Sequence, residues 1–397
     1  MRSVTIIGAG PAGLTAARVL VGAGLRDVLV LERNPEAGGL PRFCEHPGWG
    51  VLDMHRFWNG PRYARELVRR AGGAEIQANV TVTGLEGGGL VHVSTASGPE
   101  VIESRVVLLA TGIREMPRGA RLVSGTRPWG VTTTGAFQEM VQAGQIAFRR
   151  PVVIGSELVA FSALLTAWHA GVRPVAMIEP GERILAHRPG DLVARYGFGV
   201  KVRTGTRLVE IKGIERVEAV VLECGGQREM LDCDGVIFTG RFIPEAFLAR
   251  AGGLGIDPGT GGPVIDNFFR CSDPAFFAAG NLLRPVEHSG VAAGEGARAA
   301  AAILRALRGG LPGPEAGLDV TVGGAMRYVY PQRIVPEGGV VRLYGRAARA
   351  HKGRLRVLAD GEVLSERRVA VLPERRLVVS IAAARLVGCK TLSVVLD

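Results

Sequence analysis

The feature that most constrains this chain lies at its start. Residues 3–8, Ser-Val-Thr-Ile-Ile-Gly, read as a buried strand. Gly8-Ala9-Gly10-Pro11-Ala12-Gly13 follows, then an apolar helical stretch from Leu14 to Ala23, then a second strand, Val28–Leu31, ending at Glu32. This is a β-α-β unit of G-x-G-x-x-G type. Each glycine has a separate task. Gly8 permits the tight turn, Gly10 lets a pyrophosphate approach the backbone, and Gly13 lets the helix pack on the strand. The helix N-terminus then faces the phosphates. Glu32 stands where a carboxylate takes the hydroxyls of an adenosine ribose.

Other segments extend the pattern. Glu32-Arg33-Asn34-Pro35-Glu36-Ala37-Gly38-Gly39 sets a glycine pair just after the acid. Val106–Gly112 is an apolar run ending in Ala110-Thr111-Gly112, and Asp273–Asn281 ends in Gly280-Asn281. Between them, Pro151–Ile154 reads as a strand, Leu158–Ala170 as a helix and Val175–Ile178 as a strand ending at Glu179. This second unit carries Gly155, Glu157 and Ala160 at the three fingerprint positions. Glu157 adds bulk and negative charge where phosphates would lie. The expectation is a retained nucleotide-type unit with poor NAD(P) binding.

Residues 319–397 alternate apolar and polar positions, and Asp360-Gly361 between two such runs predicts a two-residue hairpin. The Gly- and Pro-rich stretch 309–317 reads as a linker. The expected fold class is α/β. Two Rossmann-like units are expected, a discontinuous first one (1–147 and 236–310) and an inserted second one (148–235), with a small C-terminal β domain (319–397).

Composition excludes several classes. The 48 basic and 37 acidic residues give a net charge of +11. The basic residues are Arg except for Lys201, Lys212, Lys352 and Lys390, and they form no basic run of the kind that reads as a nucleic-acid patch. No nucleic-acid partner is expected. The five cysteines, at 44, 224, 233, 271 and 389, form no C-x-x-C pair, which argues against a disulfide framework, a zinc site or any other metal centre. No apolar run reaches the ~18 residues of a membrane span. A cytoplasmic location is expected, with peripheral association at the inner membrane face through a partner left open.

With these motifs in order, the chain resembles the flavoprotein subunits of the pyridine-nucleotide-disulfide oxidoreductase superfamily. It is similar to flavoproteins associated with glycerol-3-phosphate or 2-hydroxyglutarate-type dehydrogenases, and to the FAD subunits of hydrogen cyanide synthase, opine oxidase and dye-linked proline dehydrogenase complexes. Phe43–Gly50, Asn59–Ala64, Gly125–Val131, Asp257–Pro263 and Arg327–Ile334 carry the likeness further. The resemblance implies non-covalent FAD, held by Gly8, Gly10, Pro11, Ala12, Gly13, Glu32, Arg33, Gly39, Leu40, Val80, Ala110, Thr111, Gly112, Gly280 and Asn281. Asn281 replaces the usual Asp and keeps hydrogen-bonding reach to the ribityl chain. Cys44, His46 and His288 are candidate catalytic residues: a flavin-side thiol, a neighbour that polarises it, and a proton relay. The plainer readings are a packed thiol, a pocket-lining ring and a helix cap.

The implied function is an FAD-dependent subunit of a multi-subunit dehydrogenase or oxidase, acting on a small polyol phosphate, hydroxy acid or amino acid. Its partners would be further oxidoreductase subunits and the small-molecule substrate, with the β tail helping to hold a subunit or packing only on its own body. A self-contained NAD(P)H-dependent reductase with one flavin-side Cys is the alternative, as is an assembly and electron-transfer subunit without a substrate site of its own.

Overall fold

The computed structural model describes residues 1–187 and 189–397. The strand Arg2–Ile7 is central to the first sheet. It pairs in parallel with Val28–Leu31 on one side and with residues 104–109 on the other. Val4, Ile6 and Ile7 are buried, as befits a strand covered on both faces. Glu75–Gln77 and Phe276–Ala278 extend the parallel order at the two edges. Thr81–Glu86 and Leu90–Thr95 continue the sheet as an antiparallel meander.

The helix Pro11–Gly22 starts with Pro at its first turn, where the missing N–H costs nothing. It packs against the long helix Ser289–Leu307. A Cβ added at Gly296 would overlap the Ala12 carbonyl oxygen, so the two backbones touch. Ala292, Ala293, Ala299, Ala300 and Ala302 keep that interface thin.

The second unit repeats the scheme. Its parallel order is Lys201–Arg203, Ala176–Ile178, Pro151–Ile154, Gly235–Phe238 and Val131–Thr133. An antiparallel meander, Thr206–Lys212, Ala219–Cys224 and Gln227–Asp232, lies beside it. This sheet takes strands from outside the 148–235 span expected from sequence, at Val131–Thr133 and at residues 236–238. Val131-Thr132-Thr133 is too short an apolar run to announce itself; only its pairing with Val236–Phe238 makes it a strand.

The tail is a sandwich. One sheet joins Arg333–Ile334, Leu318–Gly324, Leu392–Leu396, His351–Ala359 and Glu362–Val371; the other joins Met326–Tyr330, Val340–Ala347 and Leu377–Ala382. Leu343, Leu355, Val357, Ile381, Leu386, Leu392 and Leu396 fill the space between them. Asp360 and Gly361 both have positive φ, at 48° and 85°, and make the expected hairpin turn between Ala359 and Glu362.

This sandwich is anchored to the body. Tyr328 and Tyr330 belong to the core of the first unit, with Phe276, Leu282 and Leu283. Gln332 donates its backbone N–H to Ile265 O and accepts from Ile265 N on its side chain. The body-packing reading of the tail is therefore realised at this face. A cut at residues 309–317 would strip core side chains from the first unit, so truncation does not isolate a partner-binding role.

Candidate functional site

The first fingerprint loop is shaped by its glycines. Gly8 has φ +106°, and an added Cβ would lie 2.5 Å from Ala110 O. At Gly13 an added Cβ would overlap Gly8 O. Gly10 caps the helix in extended backbone, φ −90° and ψ −170°, and an added Cβ would meet nothing nearer than Gly39 Cα at 3.9 Å. Gly39, at φ +65°, crosses so close that its own added Cβ would lie 2.8 Å from Gly10 Cα. Gly38 N donates to Ala9 O at 2.8 Å and fixes that crossing. The result is an uncovered helix N-terminus, Pro11 and Ala12 in its first turn, walled by two glycine backbones.

Glu32 is buried and accepts from Ala9 N at 3.0 Å and Asn34 N at 2.9 Å, one on each oxygen. Each oxygen keeps a free lone pair for a ribose hydroxyl. Val80 N donates to Glu32 O at 3.0 Å and Ala110 N to Ile7 O at 2.8 Å. Thr111 Oγ1 donates to Glu245 O at 2.9 Å, and Gly112 O accepts from Glu245 N. These place the 110–112 turn beside the loop. Arg33 and Leu40 are exposed at its rim. The cradle fits a dinucleotide pyrophosphate.

Gly280, at φ +79°, sits with its added Cβ 2.7 Å from Ala12 Cβ, so the closing segment also touches the first helical turn. Asn281 differs from the expectation. Its Oδ1 accepts from Glu287 N at 3.0 Å and its Nδ2 donates to Glu287 O at 3.1 Å. The amide fastens the 281–287 loop rather than reaching outward as a free group. His288 is a helix cap: Nδ1 accepts from Gly290 N at 3.1 Å. A ring nitrogen holding that bond is unprotonated, so the relay role falls to Nε2 alone.

Sequence reasoning missed the polar group over this helix N-terminus. Tyr63, fully buried, donates its hydroxyl to Asp53 Oδ2 at 2.7 Å. Asp53 Oδ1, Ser289 Oγ and Trp49 Nε1 are shut off from solvent with no partner. Leu52 closes over Gly290, its Cβ 2.7 Å from where a Gly290 Cβ would be. A carboxylate oxygen and two donors are thus buried with their hydrogen-bonding capacity unused. Only their convergence marks them, and spacing in the sequence does not show it.

Cys44 is buried at the seam with the second unit. Its thiol points to Leu40 O at 3.6 Å and to Gln138 Oε1 at 3.5 Å. Burial pushes its pKa up to about 12, which keeps it a thiol at neutral pH. His46 turns away: its Nδ1 lies 3.0 Å from Pro47 O and its ring packs on Trp49. Burial lowers the pKa of His46. The expected Cys44–His46 coupling is absent from this geometry, because Pro47 and Trp49 hold the ring. Native protein should lose Cys224 and Cys389 to a thiol reagent within minutes, with Cys44, Cys233 and Cys271 reacting only on unfolding; fast native labelling of Cys44 would contradict this.

In the second unit, Gly155 turns at φ +126° and Glu157 caps the helix Leu158–His169. The Glu157 side chain folds back into the loop. Oε2 accepts from Ser156 N at 3.1 Å, and Oε1 is sealed from solvent without a partner. Burial raises its pKa. Glu179, at the ribose position, is buried and held by Ser156 Oγ and by Gly181 N at 2.8 Å.

An opine oxidase subunit of Rhizobium meliloti is 29% identical over 314 residues, covering 70% of this chain and 58% of the relative. The alpha subunit of the sarcosine oxidase of Rhizobium meliloti (strain 1021) is 29% identical over 341 residues, 78% of this chain and 31% of the relative. The chain thus spans less than two thirds of the length of either. The crystal structure of T. acidophilum thioredoxin reductase superposes with a TM-score of 0.64 at 23% identity, covering 76% of this chain and 97% of that one, a likeness of fold. The family model for pyridine nucleotide-disulphide oxidoreductases matches residues 2–297. With that match over most of its length, the chain belongs to the pyridine nucleotide-disulphide oxidoreductase family.

Proposed function

We propose that this chain is the FAD-binding subunit of a multi-subunit dehydrogenase or oxidase that takes electrons from a small substrate rather than from NAD(P)H. One contrast carries the reading: of two similar nucleotide loops, the first is open at Gly10 and the second is filled by Glu157. Bound FAD would supply the electron-accepting chemistry. Gly8, Gly10, Gly13 and Gly39 would pass its diphosphate close to the backbone, Glu32 would take the adenosine ribose, and Gly112 and Gly280 would border the flavin half. The helix Ser289–Leu307 has its positive end beside Asp53, where it favours negative charge.

Relatives named for opine and sarcosine oxidation favour an amino acid over a polyol phosphate or hydroxy acid. The name "subunit" in both favours a larger assembly. Among the described residues no helix is long and apolar enough to cross a membrane.

Denaturing the yellow protein should release FAD into the supernatant. Protein that is colourless and cannot be reconstituted with FAD would sink the reading, and flavin retained on the polypeptide would refute its non-covalent part. Co-purification with the products of neighbouring genes, followed by dye-reduction assays with and without them, tests the assembly. A chain that purifies alone and oxidises its substrate at full rate would refute the multi-subunit claim.

A further inference from the structure

The two nucleotide loops of this chain can be compared atom for atom. In each, the first glycine donates its N–H to the end of the neighbouring strand: Gly8 to Leu31 O at 2.9 Å, and Gly155 to Ile178 O at 2.9 Å. Each has positive φ, +106° and +126°. In each, an acid follows that neighbouring strand and is tied back to the loop. Glu32 accepts from Ala9 N and Asn34 N, and Glu179 accepts from Ser156 Oγ and Gly181 N. In each, a glycine of positive φ follows the strand on the other side, Gly112 at +76° and Gly240 at +59°. The helix caps share one backbone conformation, φ −90° and ψ −170° at Gly10 against φ −75° and ψ 175° at Glu157.

The difference is the side chain on that cap. Above Gly10 an added Cβ would meet only Gly39 Cα, at 3.9 Å. Above Glu157 the carboxylate lies in the notch between the flanking glycines. Its Oε2 is 2.9 Å from where a Gly155 Cβ would stand, and its Oε1 crowds the corresponding position of Gly240. It thus holds two carboxyl oxygens at a helix N-terminus, where a diphosphate would place its own. Arg121 clamps the adjoining loop, donating to Thr239 O at 2.9 Å and Gly240 O at 2.7 Å. Ala160, at the third fingerprint position, is fully buried within the packing and obstructs nothing.

We infer that Glu157 is a built-in plug: its side chain occupies the diphosphate place of an otherwise intact NADH-type site, and it alone closes that site. The inference rests on the reading that nicotinamide is not this chain's electron donor. The frame it leaves has a specificity of its own. Glu179 suits a free ribose diol and repels a 2′-phosphate, so the unplugged site favours NADH over NADPH. Because the cap is in extended backbone, glycine or alanine can replace Glu157 without strain.

The test titrates NADH and NADPH by calorimetry into the full-length flavin-loaded protein and its Glu157→Gly, Glu157→Ala and Glu157→Gln variants. The wild type should show no saturable binding. Glu157→Gly and Glu157→Ala should bind NADH saturably, with NADPH about tenfold weaker than NADH. Glu157→Gln keeps the bulk and should stay closed. The plug is overturned if both small-residue variants keep FAD and the native melting temperature yet bind no NADH. It is overturned equally if Glu157→Gln binds as well as they do, since charge and not occupancy would then be the barrier. Loss of the native fold in both small-residue variants would show the carboxylate to be a structural necessity and also overturns it. Saturable NADH binding by the wild type would also overturn the plug, and only bleaching of the flavin by that NADH would in addition refute the reading on electron source.

Discussion

Glu295→Ala is expected to cost the fold about 3–5 kcal/mol, a large share of the ~5–15 kcal/mol that holds a domain folded. Arg284 has no exposed surface and Glu295 has 1%. Their side chains pair at 2.9 Å. Arg284 also donates to Gly280 O and lies over the Tyr330 ring, 4.9 Å from its centroid. Tyr330 in turn donates its hydroxyl to Glu295 at 3.3 Å. The pair thus ties the closing Gly280 segment, the long helix and the β tail together. Removing the carboxylate leaves a guanidinium buried without a counter-charge. Urea unfolding followed by circular dichroism measures the loss. The double variant Arg284→Met/Glu295→Leu, which buries no charge, should recover most of it. A single Glu295→Ala variant within about 1 kcal/mol of the wild type would show that the pair is not buried as described.

Gly10→Glu should give a folded but colourless protein. The substitution copies the second loop's cap into the first. The Gly10 backbone already has the conformation that Glu157 adopts, and an added Cβ meets nothing nearer than 3.9 Å. The fold should therefore tolerate it, while the new carboxylate fills the cradle and faces the FAD diphosphate. Affinity for FAD should fall by on the order of a hundredfold or more. Gly8→Ala is a poorer test, because Ala110 O would crowd its Cβ and damage the turn itself. Reconstitution of the variant with added FAD, followed by its flavin absorbance, reads the result. Wild-type flavin content would mean that the diphosphate does not pass Gly10.

How much of this was legible in the sequence depends on whether the signal was local. The strand–glycine–helix runs at Gly8 and Gly155, the acids Glu32 and Glu179, and the Asp360–Gly361 hairpin are short-range patterns, and each corresponds to an element found where it was read. Glu157 was visible as an anomaly; that its carboxylate folds into the notch between Gly155 and Gly240 was not, since Gly240 lies far along the chain. The same limit hid Arg284. In a chain with so many arginines a single one carries no mark, and only its burial against Glu295 and Tyr330 distinguishes it. His288 and Asn281 were recognised as special by position, but their side chains serve the backbone: one caps a helix and the other pins a loop. Asp53, Tyr63, Ser289 and Trp49 come from three segments and meet only in the fold.

Anaerobic mixing of the flavin-loaded protein with NADH, and separately with NADPH, tests the central claim most directly. Glu157 in the second loop predicts that the yellow absorption persists with either nucleotide, while a chemical reductant such as dithionite bleaches it. Rapid bleaching by micromolar NADH or NADPH would contradict the account, because the second site would then be open and nicotinamide would be the electron donor.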